Sequence, residues 1–451
     1  MKIKKFDLFV KQKISPFNKI IKVDADKSLS IRSFLIGSIS NNVSFVDNAL
    51  DSEDVKSTIQ VCKKLGVKII QVKNLSYKIF GRGLGSLSPK KNENLNFGNS
   101  GTLARLLIGI LSTTPNVKVK INGDHSLNKR SMKKLINLMS KFGATFLPNN
   151  KANFPLTLIS SPMPIGIEYK AGVSAQLKSA VMLAGLNANG ITNIIEEKKS
   201  RNHTENMLLK NTKVIKIKKD KKGKNHIKIT GKKFLNPIKI NVGGDPSSAA
   251  FFTALTLLVP KSHLKIKHVG LNPRRIGFYN LLKRHGAKIS FQNLKKKNNE
   301  SFGDIEVKYS KLRPIKAGSE YYVSATDEYP ILFVIAGIIK GISIFKGIED
   351  LANKESNRIE EMKKILMQIG IKCKSTKNEM KIYGGVNVNS NKSIKVPSLG
   401  DHRICMSTTI LSLITGIKSE IKNFETVGTS APSFLKIVKS LGGKFEIKKI
   451  S

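Results

Sequence analysis

Seven of the chain's 11 arginines recur at matching places, although lysine outnumbers arginine 68 to 11. They are Arg32, Arg105, Arg130, Arg201, Arg275, Arg358 and Arg403, and they lie in or beside short polar openings. A planar guanidinium binds phosphate or carboxylate bidentately, whereas lysine offers only a point charge. Such a set is suited to small anions. Acids are few, 31 in 451 residues, so those beside the arginines stand out. Asp327 opens DEYP, and Glu355 in NKESNR lies three residues before Arg358, a spacing that places the two on one helical face. A carboxylate among cations stays ionised and can accept a proton. Asp327 could instead be a helix cap, and His402, between Asp401 and Arg403, could shuttle a proton or be a capped structural histidine. No H-x-x-H, E-x-x-H or clustered cysteine suggests a protein-held metal. GRGLG at 81–85 misses the dinucleotide-binding spacing, and no P-loop motif is present.

The elements that position these residues repeat. Six Ala-, Ser-, Leu- and Ile-rich stretches open near Asp26, Asn99, Ser174, Asp245, Asp327 and Asp401, at intervals of 73, 75, 71, 82 and 74 residues. Six units of about 75 residues fill the chain. A helix apolar on every side belongs in an interior, and six of them pack most economically as three per globule. Between them recurs an amphipathic segment that ends in glycine and runs into a β-branched stretch. Gly66, Gly143, Gly286, Gly370 and Gly442 are read as left-handed helix caps, with HTENMLLKNTKVIKI as a degenerate sixth copy. The expected domains are 24–243, and 1–23 plus 244–451. Helix N-terminal ends carry free N–H groups and a positive dipole, so the polar openings are natural anion sites.

Composition bounds the remaining possibilities. With 40% hydrophobic residues and a mean hydropathy of −0.16 the chain is globular, despite a formal charge of +48. The abundance of Lys, Ile and Asn makes a composition bias the stronger explanation of that charge. A nucleic-acid-binding protein is the alternative, but it predicts aromatics among the basic runs, and 213–233 holds only Lys-rich alternation. Cys62, Cys373 and Cys405 form no pair pattern, which points to a reducing compartment. The opening MKIKKFDLFVKQKI lacks a signal-peptide h-region, and the apolar runs 329–339 and 404–417 are too short to span a membrane. A soluble, cytoplasmic protein is expected.

Ten motifs in order then resemble one family across nearly the whole chain: DKSLSIR, GNSGTLARLL, GDHSLNKRSM, VSAQLKSAVMLAGL, SRNHTENML, GDPSSAAFF, NPRRIGF, TDEYPIL, NKESNRI and GDHRICM. That family is enolpyruvylshikimate-phosphate synthase. The resemblance implies an α/β fold of two globular domains. Each holds three βαβαββ repeats around buried parallel helices, an inside-out α/β barrel with the active site between the domains. It also implies transfer of an enolpyruvyl group from phosphoenolpyruvate to shikimate 3-phosphate by a monomer, with no cofactor and no metal. Lys27, Ser28, Arg32, Ser174, Ala175, Gln176, Ser200, Asp327 and Lys354 would bind shikimate 3-phosphate. Lys27, Gly101, Arg130, Gln176, Arg358 and Arg403 would bind phosphoenolpyruvate, and Asp327, Glu355, Lys27 and His402 would move protons. Departures from the family pattern include Asp24-Ala25 before DKS, Ser131, Asn202, Gly243, Asn357, Ala175 and Thr429. The sister transferase acting on UDP-N-acetylglucosamine uses a loop cysteine, and 113–130 contains none.

Overall fold

The computed structural model describes residues 5–385 and 392–450. The chain forms two compact units. Residues 25–242 with 297–300 make one, called here the N-terminal unit; residues 1–24, 243–296 and 301–451 make the C-terminal unit. Each is built from three four-stranded sheets of one design. In the sheet Asn94–Asn96, Lys118–Asn122, Leu156–Ile159, Thr145–Leu147, the first pair is parallel and the others antiparallel. The parallel pair requires a crossover, and a buried helix supplies it.

Six such central helices carry the apolar stretches: α1 (Lys27–Ile39), α2 (Gly101–Ser112), α3 (Ala175–Gly185), α4 (Pro246–Leu258), α5 (Tyr329–Ile338) and α6 (His402–Thr415). Every described residue of α2 but Arg105 is buried, and all 14 positions of α6 but Thr415 are. Close approach within the N-terminal unit needs glycine: a Cβ on Gly109 of α2 would lie 2.5 Å from the Ala180 carbonyl oxygen of α3. The amphipathic helices lie between sheet strands, and the five capping glycines all take φ between +85° and +97°.

Three strands complete sheets whose other strands lie far away in sequence. Lys239–Asn241 pairs in parallel with Val43–Asp47 in the N-terminal unit. Asn18–Ile21 joins His263–Gly270, and Phe6–Val10 sits between Lys418–Ile421 and Phe445–Lys449, in the C-terminal unit. The Lys-rich span forms an edge hairpin, Ile215–Lys219 against Asn225–Thr230, whose Ile215, Ile227 and Ile229 point inward while Lys216 and Lys218 are exposed. All three cysteines are free and buried, and burial pushes the thiols up, Cys62 to about 11 and Cys373 to about 12.

Candidate active site

In the N-terminal unit the openings of α1, α2 and α3 are tied to one another by side chains. Asp26, Ser100 and Ser174 cap these helices, accepting from Leu29, Leu103 and Leu177 N–H. Arg32, one turn into α1 and 3% exposed, donates to Thr204 Oγ1 (3.0 Å), Ser28 O (3.1 Å) and Ser179 Oγ (3.3 Å). This joins the start of α1 to α3 and to the segment after Ser200. Gln176 in the first turn of α3 donates to Thr102 Oγ1 (3.0 Å) and accepts from Arg105 Nη1 (3.0 Å), so α3 and α2 share a polar seam. Arg130 ends the short helix His125–Lys129 and donates to Asn99 Oδ1 at 2.5 Å, just before α2. Gly101 lies between these arginines. A Cβ there would be 2.6 Å from Arg105 Nη1 and 3.2 Å from Arg130 Nη1. Lys27, the first residue of α1, pairs with Asp54 at 3.1 Å. Asp54 escaped the sequence reading, because the first turn of an amphipathic helix is where acids sit for dipole reasons alone.

Lys27, Ser28, Arg32, Gly101, Arg130, Ser174, Ala175, Gln176 and Ser200 all belong to this unit. They surround three helix N-terminal ends, and the acceptors described for Arg32, Arg105 and Arg130 are hydroxyls, carbonyls and amides. Guanidiniums at helix N-terminal ends are suited to an incoming anion.

The C-terminal unit holds a different arrangement around Arg358, which is 1% exposed. Its Nε bonds Asp401 Oδ2 (2.9 Å), its Nη2 bonds Glu355 Oε2 (2.6 Å) and its Nη1 lies 3.8 Å from Asp327 Oδ1. Burial works against the charged guanidinium, but Asp401 and Glu355 outweigh it and raise its pKa, so it stays cationic. Asp401 also caps α6 through Arg403 N–H (2.9 Å). Arg403 is 4% exposed, its guanidinium stands 5.8 Å from the Phe251 ring centroid, and its Nε and Nη1 have no hydrogen-bond partner in the protein. Buried donors of this kind are suited to a ligand anion. Lys354 bonds Asp350 Oδ2 at 2.6 Å, and Tyr322 OH donates to the same oxygen at 3.0 Å. His402 is the first residue of α6 and is 5% exposed.

Three expectations are revised. Asp327 is not a cap: it lies in the 3-10 turn Thr326–Glu328, and α5 starts at Tyr329 with no side-chain cap. Its neighbour Pro330 fills the first turn, where a free N–H would otherwise want a partner. Glu355 meets Arg358 but not along a helix, since the helix Arg358–Gln368 begins only at the arginine and is capped by Asn357, which accepts from Glu360 N–H. Arg275 is structural, a buried pair with Asp245 at 2.9 Å that also touches Ser247. Of the departures, Asn202 bonds Asn206, and Thr429 Oγ1 donates to the Thr426 carbonyl.

Among the described residues no cluster of His, Cys, Asp and Glu could hold a metal ion, and no helix is long and apolar enough to cross a membrane.

Residues 11–438 match the family model for EPSP synthase (3-phosphoshikimate 1-carboxyvinyltransferase). A relative named 3-phosphoshikimate 1-carboxyvinyltransferase from Zymomonas mobilis is 36% identical over 442 residues, 97% of each chain. One of the same name from Bacillus subtilis is 35% identical over 96% of this chain and 99% of its own. The solved EPSP synthase of Acinetobacter baumannii superposes with a TM-score of 0.84 at 32% identity, covering 98% of this chain and 100% of that one. The enolpyruvyl transferase NikO of Streptomyces tendae, at 12% identity and a TM-score of 0.76, shares the fold. With three side-chain-capped helix openings among arginines in one unit, an arginine-anchored carboxylate group in the other and this match along almost its whole length, the chain belongs to the EPSP synthase family.

Proposed function

We propose that the chain transfers the enolpyruvyl group of phosphoenolpyruvate to the 5-hydroxyl of shikimate 3-phosphate, with the two residue groups dividing the work. Lys27, Ser28, Arg32, Ser174, Ala175, Gln176 and Ser200 hold shikimate 3-phosphate, its phosphate at the opening of α3, while Asp327 and Lys354 hold ring hydroxyls. Lys27, Gly101, Arg130, Gln176, Arg358 and Arg403 bind phosphoenolpyruvate. Ala175 has no hydroxyl, so its contribution is its backbone N–H at the helix end.

The reaction needs two proton movements. The 5-hydroxyl loses a proton as its oxygen attacks C2 of phosphoenolpyruvate, and the methylene carbon gains one, giving a tetrahedral adduct. Loss of phosphate then requires the new methyl group to return a proton. Asp327 takes the hydroxyl proton; Glu355, with Lys27 and His402, serves the carbon. No atom changes oxidation state overall and the leaving group is already phosphate, so the chemistry calls for positioning and charge neutralisation. The observation that carries this reading is the Arg358 group: two partly exposed carboxylates, Asp327 and Glu355, fixed against one buried guanidinium. The same reading takes the protein as a cytoplasmic monomer acting on small molecules, with no specific nucleic-acid or membrane partner.

The test is to mix the purified chain with both substrates and follow phosphate. Release that requires both substrates, with the enolpyruvyl ether as product, is expected. No release above background by folded protein overturns the reading.

A further inference from the structure

Beneath the opening of α3 lies a fully buried ionic cluster that none of the roles above uses. Lys178, one turn after Ser174, is 0% exposed. Its Nζ is 2.5 Å from Glu196 Oε1 and 2.5 Å from Glu205 Oε1. Glu196, also 0% exposed, ends the strand Ile191–Glu196, and its Oε2 accepts from Asn225 Nδ2 at 2.7 Å. Its Oε1 accepts both the Ser200 N–H (2.9 Å) and the Ser200 hydroxyl (3.0 Å). One carboxylate thus joins α3, the neighbouring strand and the turn that ends at Ser200.

Charges buried so completely are costly and persist only when paired and hydrogen-bonded, as these are. What the pairing achieves is visible in its partners. A serine hydroxyl has one proton to donate. Here that proton goes to Glu196, whereas a phosphate oxygen would have to receive it for Ser200 to bind the substrate. The backbone N–H bond to the same carboxylate does not depend on the hydroxyl, so the turn stays fixed while the O–H rotates about its Cβ–Oγ bond.

We propose that Glu196, held by Lys178, is a positioning residue for shikimate 3-phosphate. It fixes the 197–200 turn against the opening of α3 and accepts the Ser200 hydroxyl's hydrogen bond until the 3-phosphate replaces it as acceptor, the proton staying on the serine oxygen. This rests on the placement of Ser200 in the shikimate 3-phosphate site.

Steady-state kinetics of the full chain test it, with wild type, Glu196→Gln, Ser200→Ala and the double variant compared for both substrates. Glu196→Gln keeps the shape but replaces one acceptor oxygen by a donor. It is expected to raise KM for shikimate 3-phosphate about tenfold while KM for phosphoenolpyruvate stays within about twofold. Because Glu196 acts through Ser200, the double variant should be no worse than the worse single one. If Glu196→Gln does not fold, Asn225→Ala removes only the Oε2 donor and should give a smaller rise of the same selectivity, about threefold. An unchanged KM for shikimate 3-phosphate, an equal rise for both substrates, or additive single effects overturns the inference. Inactive wild type is a separate result: it removes the functional reading itself.

Discussion

The two units share a repeat design, yet the surroundings described for Arg32, Arg105 and Arg130 in one differ from those of Arg358 in the other. Around α1, α2 and α3 the acceptors described for Arg32, Arg105 and Arg130 are neutral oxygens, whereas Arg358 is bound by Asp401 and Glu355 and approached by Asp327. A guanidinium on neutral acceptors keeps its field for a substrate anion. One enclosed by carboxylates spends that field on them, anchoring groups that can then exchange protons. The same side chain in two settings is thus suited to two tasks, and Arg403 of the C-terminal unit, whose Nε and Nη1 have no hydrogen-bond partner in the protein, resembles the first setting rather than that of Arg358.

The largest break in this comparison should come from Asp327→Asn. Turnover is expected to fall by about 10³-fold with the fold kept, since removing a general base typically costs 10²–10⁴; circular dichroism and kcat check both parts, and near-normal turnover would place the base elsewhere. Next is stability. Arg358→Met leaves Asp401 buried without its cation and should cost about 3–5 kcal/mol, whereas Arg105→Met deprives neutral acceptors, the Gln176 amide and the Gly101 carbonyl among them, and should cost about 1 kcal/mol. Urea unfolding of the two variants measures the contrast; equal losses would erase it. Smaller again is Gly101→Ala, whose methyl must displace Arg105 and crowd Arg130. KM for phosphoenolpyruvate should rise about tenfold, an effect of about 1.4 kcal/mol, and inhibition by glyphosate, which competes with phosphoenolpyruvate in the family, should weaken with it. The least effect is expected from thiol reagents. Burial keeps Cys62, Cys373 and Cys405 protonated at pH 8, so native protein should label negligibly and label at all three sites once unfolded.

Much of the architecture was legible because its cause is periodic. Buried helices must be apolar on every side, and five of the six amphipathic segments end in a glycine whose positive φ no β-branched residue adopts easily, so both signals survive in the bare sequence. The sixth copy, His203–Leu208 running on to Ile215–Lys219, lacks the glycine and was readable only by interval. Arginine placement singled out the candidate binding residues because a Lys-rich chain has no compositional reason to use arginine. What could not be read depends on long-range pairing. Asp54 beside Lys27 and Asp401 beside Arg358 join residues 27 and 43 positions apart, and Lys178 meets Glu196 18 positions on, across a helix and a strand, with no local pattern to announce them. The cap reading of Asp327 failed for a local reason instead: the 3-10 turn Thr326–Glu328 and Pro330 shift the start of α5 by one residue, so that Glu328 takes the cap position.

The division between binding and proton movement is tested most directly by calorimetric titration of shikimate 3-phosphate into two variants. Arg32→Lys loses a planar donor that bonds Thr204, Ser28 and Ser179 and should weaken binding by about 30-fold or more, while Asp327→Asn, inactive, should bind within about tenfold of wild type. The reverse order would contradict the account.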